Sequence, residues 1–208
     1  SKTEQLYRTR DKAEVFTPLS IVKLMNDACD SKRVTKNNWQ EYVGELRLEI
    51  TCGEAPFIVS RYDSVSDTQK LLPLAGRVGF LDKKLRVISK YCHDLDEWVV
   101  WAKIAFQSSY GYEWQGDSLL IARENLLYTF IDYYRDKFKR KPRSKLQKEI
   151  AEIITWNIFQ MDGLKYVIPM SCKNEEITIK NNSKILDIGC GNGELLYYLK
   201  NQKNADCR

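Results

Sequence analysis

The order in which helical and extended patterns alternate along this chain constrains its fold more than any other feature. Residues 46–51 (LRLEIT) alternate in polarity and meet Cys52-Gly53, which predicts a strand running into a tight turn. Helical patterns follow over 81–91 and 94–107, the second opened by Asp94 as a candidate N-cap. Residues 109–115 (SYGYEWQ) read as a strand, 117–138 as a long helix, 146–156 as a further helix and 157–161 (NIFQM) as a short strand. Residues 184–188 (KILDI) predict another strand, followed by a glycine turn and a helix over 194–201. Strands separated by helices point to βαβ units and a mostly parallel sheet covered on both faces. Such sheets hold ligands beyond the carboxyl ends of their strands.

Ahead of the first strand, Thr17-Pro18 opens a short amphipathic helix on which Ile21, Leu24, Met25 and Ala28 share a face. On the long helix, Leu120, Leu127, Ile131, Tyr134 and Phe138 keep near-helical spacing and form the expected buried stripe. These divisions predict an N-terminal helical segment over 1–45, an α/β core with inserted helices over 46–170 and a strand, glycine turn and helix over 171–208.

Several chemistries are disfavoured by the residues present. The six cysteines form no CxxC pair, and His93, the single histidine, has no partner at zinc-ligand spacing, so no metal site is expected. No nucleophile elbow accompanies that histidine. Uncharged runs such as 104–112 and 153–161 are nine residues long, about half of a membrane span. With no apolar leader at the start of the sequence, a cytoplasmic protein is expected.

The net charge is +5, and residues 135–148 (RDKFKRKPRSKLQK) hold eight basic residues against one acid. The other 194 residues therefore sum to −2. Such a segment either neutralises nucleic-acid phosphates through Lys139, Arg140, Lys141 and Arg143 or serves as a solvated connector broken at Pro142.

Three acids, Glu49, Glu113 and Asp162, lie within or just past predicted strands, where a carboxylate accepts hydrogen bonds from a ribose diol or an amine, or caps the next helix. Taken in order, AEVFTP (13–18), LEITCGEAPF (48–57), YGYEWQGDSLLIARENLL (110–127) and NIFQMDGL (157–164) resemble the motif series of adenine-specific DNA methyltransferases from bacterial restriction–modification systems. The resemblance implies a Rossmann-like class I methyltransferase fold, incomplete at the C-terminus, that binds S-adenosylmethionine. It also implies double-stranded DNA as partner, with a restriction or specificity subunit as a further one.

Carried onto this sequence, it makes Phe16, Thr17 and Pro18 a wall beside the cofactor, and Thr51, Cys52, Gly53 and Glu54 the loop at its methionine portion. Glu113 would accept the ribose hydroxyls and Asp162 the adenine amine, with Glu49 inside the same strand as the loop. Two departures stand out. Ala55-Pro56 replaces the family's second loop glycine, restricting positive φ. The family's Asn/Asp/Ser-Pro-Pro-Tyr/Phe tetrapeptide, which holds the flipped adenine, is missing, since none of the five prolines adjoins another. This chain is thus expected to be either the cofactor-binding portion of such an enzyme or an inactive remnant.

Residues 184–199 (KILDIGCGNGELLYYL) separately look like the first strand, glycine loop and helix of a generic class I methyltransferase, with Asp187 before Gly189, Gly191 and Gly193. One reading makes this loop the working cofactor site. The other places 184–188 in the same sheet as 46–51, bringing 189–193 near the 51–54 loop.

Overall fold

The computed structural model describes residues 16–30, 33–65, 70–162, 184–187 and 206–207. Its helices and strands are α1 (Leu19–Cys29), α2 (Trp39–Gly44), β1 (Arg47–Ile50), α3 (Phe80–Tyr91), α4 (Leu95–Gln107), β2 (Ser109–Glu113), α5 (Gly116–Phe138), α6 (Ser144–Asn157), β3 (Ile158–Gln160), β4 (Lys184–Asp187) and β5 (Asp206–Cys207). All strands pair in parallel, in the order β3-β2-β1-β4-β5. Among the described residues the fold is a Rossmann-like parallel α/β sheet flanked by helices. β1 is buried along its whole length, so both of its faces are covered.

β1 pairs with β2 on one side, Ile50 opposite Tyr112, and with β4 on the other, Arg47 opposite Lys184 and Ile50 opposite Asp187. Residues 184–187 of the KILDI run therefore lie in the sheet beside the first strand, as its apolar character predicts. An unpaired strand there would leave backbone donors and acceptors without partners. The glycine turn over 189–193 and the helix over 194–201 lie outside the described residues. After β3 the chain returns to the far side of β1, so the strand order reverses between β1 and β4. In open α/β sheets that reversal opens the crevice that takes ligands.

The predicted face of α1 is rotated, and that of α5 is the edge of a wider buried side. On α1 the buried residues are Val22, Asn26 and Cys29, while Ile21 and Leu24 are exposed. The amide of Asn26 decides this, because it donates to the carbonyls of Phe57 and Val78, both 3.0 Å away, and burial of that amide requires both bonds. On α5 the buried side is Leu119, Ala122, Leu126, Phe130, Tyr133 and Tyr134, with Ser118, Asn125 and Thr129 among them; of the expected stripe Tyr134 is buried, Leu127, Ile131 and Phe138 pack partly buried against the core, and Leu120 is 60% exposed. Polar side chains on the packed face hide it from a reading based on apolar spacing. Residues 39–44 form a helix that apolar periodicity does not single out, and Asn157 ends α6 rather than starting β3. Asp94 caps α4 as expected, accepting from the amides of Asp96 and Glu97.

The long helices reach past the sheet. Lys84, fully buried, donates to the carbonyl of Glu45 (2.6 Å) and the hydroxyl of Ser108 (2.7 Å), tying α3 to the starts of β1 and β2. α5 begins at the carboxyl edge of the sheet and its 23 residues run about 34 Å, twice the roughly 17 Å of a five-residue strand. Its last turns thus project beyond the amino edge. There Tyr134 and Phe138 pack edge-on against Trp98, with centroids at 5.8 and 5.5 Å.

Candidate functional site

At the carboxyl edge the chain leaves β1 through a loop with an unusual backbone. Thr51, Gly53 and Ala55 all have positive φ (56°, 54° and 64°). Ala55 thus takes the conformation that its lack of glycine was expected to obstruct, at a cost of about 1–2 kcal/mol. Two contacts hold it there: its amide donates to the carbonyl of Cys52 at 2.7 Å, and its methyl group is fully buried. The loop packs down because β2 has Gly111 beneath it. A Cβ at that position would stand 2.9 Å from Cδ1 of Ile58 and 3.1 Å from Sγ of Cys52.

Glu113 joins the loop to the neighbouring strand end. One carboxylate oxygen accepts from the amide of Gly53 at 2.7 Å and the other from the amide of Gln115 at 2.8 Å. Each oxygen keeps a lone pair for a further donor. The carbonyl of Glu113 accepts from the amide of Met161 at 3.0 Å, which sets Asp162, half-buried, one residue beyond that bond at the end of β3. Thr51, Cys52, Gly53, Glu54, Glu113 and Asp162 are therefore brought to one edge of three adjacent strands. Phe16 and Thr17 are half-buried and Pro18 is exposed; the Thr17 carbonyl accepts from the hydroxyl of Ser64, on the segment that follows the loop.

Glu49 sits differently. It is 2% exposed, and burial pushes its carboxyl well above the ordinary range, against the amides of Phe57 and Ile58 that favour its ionised form. Within the protein it props the 57–58 backbone from below. The same burial, with the nearby charges of Glu49 and Glu113, raises the Cys52 thiol, so Cys52 packs rather than reacts.

Four residues unremarked in the sequence support this edge. Asn125 of α5 donates to the carbonyl of Glu54 and to the hydroxyl of Tyr62, both at 3.1 Å, and that hydroxyl donates to the Glu54 carboxylate at 2.8 Å. Arg123 donates to the carbonyl of Ile158 at 3.0 Å, and Gln160 to the carbonyl of Trp114 at 3.0 Å. The ARENL stretch thus clamps the loop through its asparagine and the end of α6 through its arginine. A polar residue spaced with Ala122 and Thr129 along the helix is the signal that would have found Asn125.

Lys139, Arg140, Lys141 and Arg143 are not part of this cluster; they occupy the turn between α5 and α6, at the far end of α5. Among the described residues no group of His, Cys, Asp and Glu side chains is arranged to hold a metal ion, and no helix is long and apolar enough to cross a membrane.

Residues 173–208 match the family model of methionine biosynthesis protein MetW, a methyltransferase-like family. That stretch is under a fifth of the chain and includes β4 and β5. No curated protein and no solved structure matches the chain. The parallel sheet and this match together point to a methyltransferase-like Rossmann fold.

Proposed function

We propose that this chain is the S-adenosylmethionine-binding portion of an enzyme that methylates the 6-amino group of adenine in DNA, as the motif series implies. The observation that carries the reading is the Glu113–Gly53 hydrogen bond, which fixes a carboxylate at the end of β2 against the loop leaving β1, the strand that borders the strand-order reversal. The donor set fits the cofactor: Glu113 retains acceptor capacity for a ribose diol, and Asp162, at the next strand end, supplies an acceptor for an exocyclic amine. When bound, the cofactor supplies an electrophilic methyl group on its sulfonium. The chain's own residues bind and orient: Asn125 and Tyr62 hold Glu54 and the loop, and Phe16, Thr17 and Pro18 would close one side. Duplex DNA and a restriction or specificity subunit are the partners this reading assigns.

A second reading is favoured by the MetW match over 173–208, in which Gly189, Gly191 and Gly193 with Asp187 bind the cofactor. Calorimetry separates the two. Glu113→Ala should abolish S-adenosylmethionine binding and Asp187→Ala should leave it within a few-fold; the reverse pattern would establish the glycine turn as the site. With no Pro-Pro segment to hold a target amine, where alignment of reactants is worth about 7–11 kcal/mol, the purified chain should transfer no labelled methyl to adenine in DNA.

A further inference from the structure

The strongest concentration of charge lies far from the candidate cofactor site. α5 leaves the sheet beside Glu113 and carries the chain about 34 Å to a turn in which Lys139, Arg140, Lys141 and Arg143 are exposed, flanked by exposed Arg135 on α5 and Lys145 and Lys148 on α6. The turn is built rather than loose. Lys139 takes φ 54° and ends the helix, Pro142 is buried, and the carbonyl of Pro142 accepts from the side chain of Gln147 at 2.8 Å. Phe138 is anchored on Trp98, and Lys137 is held to the carbonyl of Ser89 at 2.7 Å. Of the seven exposed cations, only Lys139 has an ion-pair partner among the described residues, Asp136 at 3.3 Å with both side chains mostly in solvent. Such a pair contributes little and exchanges readily.

We infer that this turn is a polyanion-binding surface that engages the phosphates of duplex DNA at the end of the molecule opposite the cofactor-binding strand ends. The choice of DNA as the polyanion rests on the proposed function; the placement does not. Six cations with no ion-pair partner among the described residues, held by a fixed turn, offer phosphates a binding surface that needs little reordering of the backbone. A protein partner of matching charge is less well served, since the exposed acids at the same end, Asp94, Asp96, Glu97 and Asp136, are four against seven cations, and Asp136 already faces Lys139. Because the two sites are separated by the length of α5, the cations of the turn touch neither the loop nor Glu113, so the turn anchors the duplex by its phosphates without taking part in cofactor binding.

The test is the salt dependence of duplex binding by the full chain, read by fluorescence anisotropy on a short mixed-sequence duplex between roughly 50 and 200 mM salt. Lys139→Gln, Arg140→Gln, Lys141→Gln and Arg143→Gln together should lower the magnitude of the log–log slope by about 0.9 for each phosphate no longer neutralised, with the circular dichroism spectrum unchanged. Lys36→Gln with Lys70→Gln, made elsewhere on the molecule, should leave the slope as it is. An unchanged slope in the quadruple variant, or sedimentation showing that its only effect is to abolish self-association at low salt, would overturn the inference. Loss of duplex affinity in Glu113→Ala, with the fold intact, would overturn the separation of the two sites. Failure of Glu113→Ala to affect S-adenosylmethionine binding would count against the proposed function alone.

Discussion

Gly79 and Asp82 show how narrowly single positions are set beneath the loop. The first amides of α3 donate to the carbonyls of Phe57 and Ile58 at 2.8 and 2.9 Å, so the segment after the loop satisfies donors that a helix start otherwise leaves open. Gly79 is the point of closest approach. A Cβ there would stand 2.4 Å from the carbonyl oxygen of Ile58 and 2.7 Å from a carboxylate oxygen of Asp82. Since a backbone carbonyl cannot swing aside, Gly79→Ala should destabilise the protein by roughly 2–3 kcal/mol, read as a lowered urea midpoint at unchanged m-value. Asp82 is fully buried, and burial raises its carboxyl to about 6, against the amide of Ser60 and the charges of Arg77 and Arg86. A proton is therefore held more tightly in the folded chain than in the unfolded one. The stabilisation is complete below the unfolded value of 3.8 and is lost as pH rises through about 6, a change of ~3 kcal/mol. Asp82→Asn should flatten the fall in unfolding free energy between these two pH values. An identical pH profile in wild type and variant would refute the assignment.

At the scale of elements, α5 does the most to connect the parts of the protein. Its first half clamps the loop through Asn125 and the start of β3 through Arg123, its middle closes over Phe106 with Phe130, and its end carries the basic turn. Leu119 is 5% exposed and Leu120 is 60% exposed. Leu119→Ala should therefore cost about 2–4 kcal/mol by transfer and cavity, whereas Leu120→Ala should stay within about 0.5 kcal/mol of wild type. A larger cost for Leu120→Ala than for Leu119→Ala in denaturant titrations would mean that the helix is turned the other way. Asp132, on the same helix, binds Arg77 at 2.7 Å and Arg61 at 3.2 Å, so α5 also fixes the two irregular segments, around 61 and around 77, that flank the 3-10 turn Leu74–Gly76.

The whole molecule places its two candidate binding surfaces at opposite ends of one long helix. If the carboxyl edge binds S-adenosylmethionine, ligand at about a hundred times its Kd adds ~2.7 kcal/mol to stability. Thermal unfolding should then shift upward with S-adenosylmethionine, and the quadruple glutamine variant of the basic turn should show the same shift. A smaller shift in that variant would show that the two ends communicate.

Sequence alone determined the alternation of elements, the parallel sheet, the Asp94 cap and the strand ends, because periodicity and capping are local consequences of backbone geometry and of which side chains can be buried. It also marked Glu113 and Asp162 by their positions within or just past predicted strands. What the tertiary structure decided was orientation. Which face of α1 and α5 turned inward depended on Asn26 and Asn125 finding carbonyls 31 and 71 residues away, and no local pattern encodes a partner at that distance. Glu49 and Glu113 look alike as acids near strand ends and both are buried, yet one faces the backbone amides of Phe57 and Ile58 and the other takes the amide of Gly53. The basic run was legible as charge but not as place; its separation from the strand ends follows from α5 being longer than the sheet it crosses.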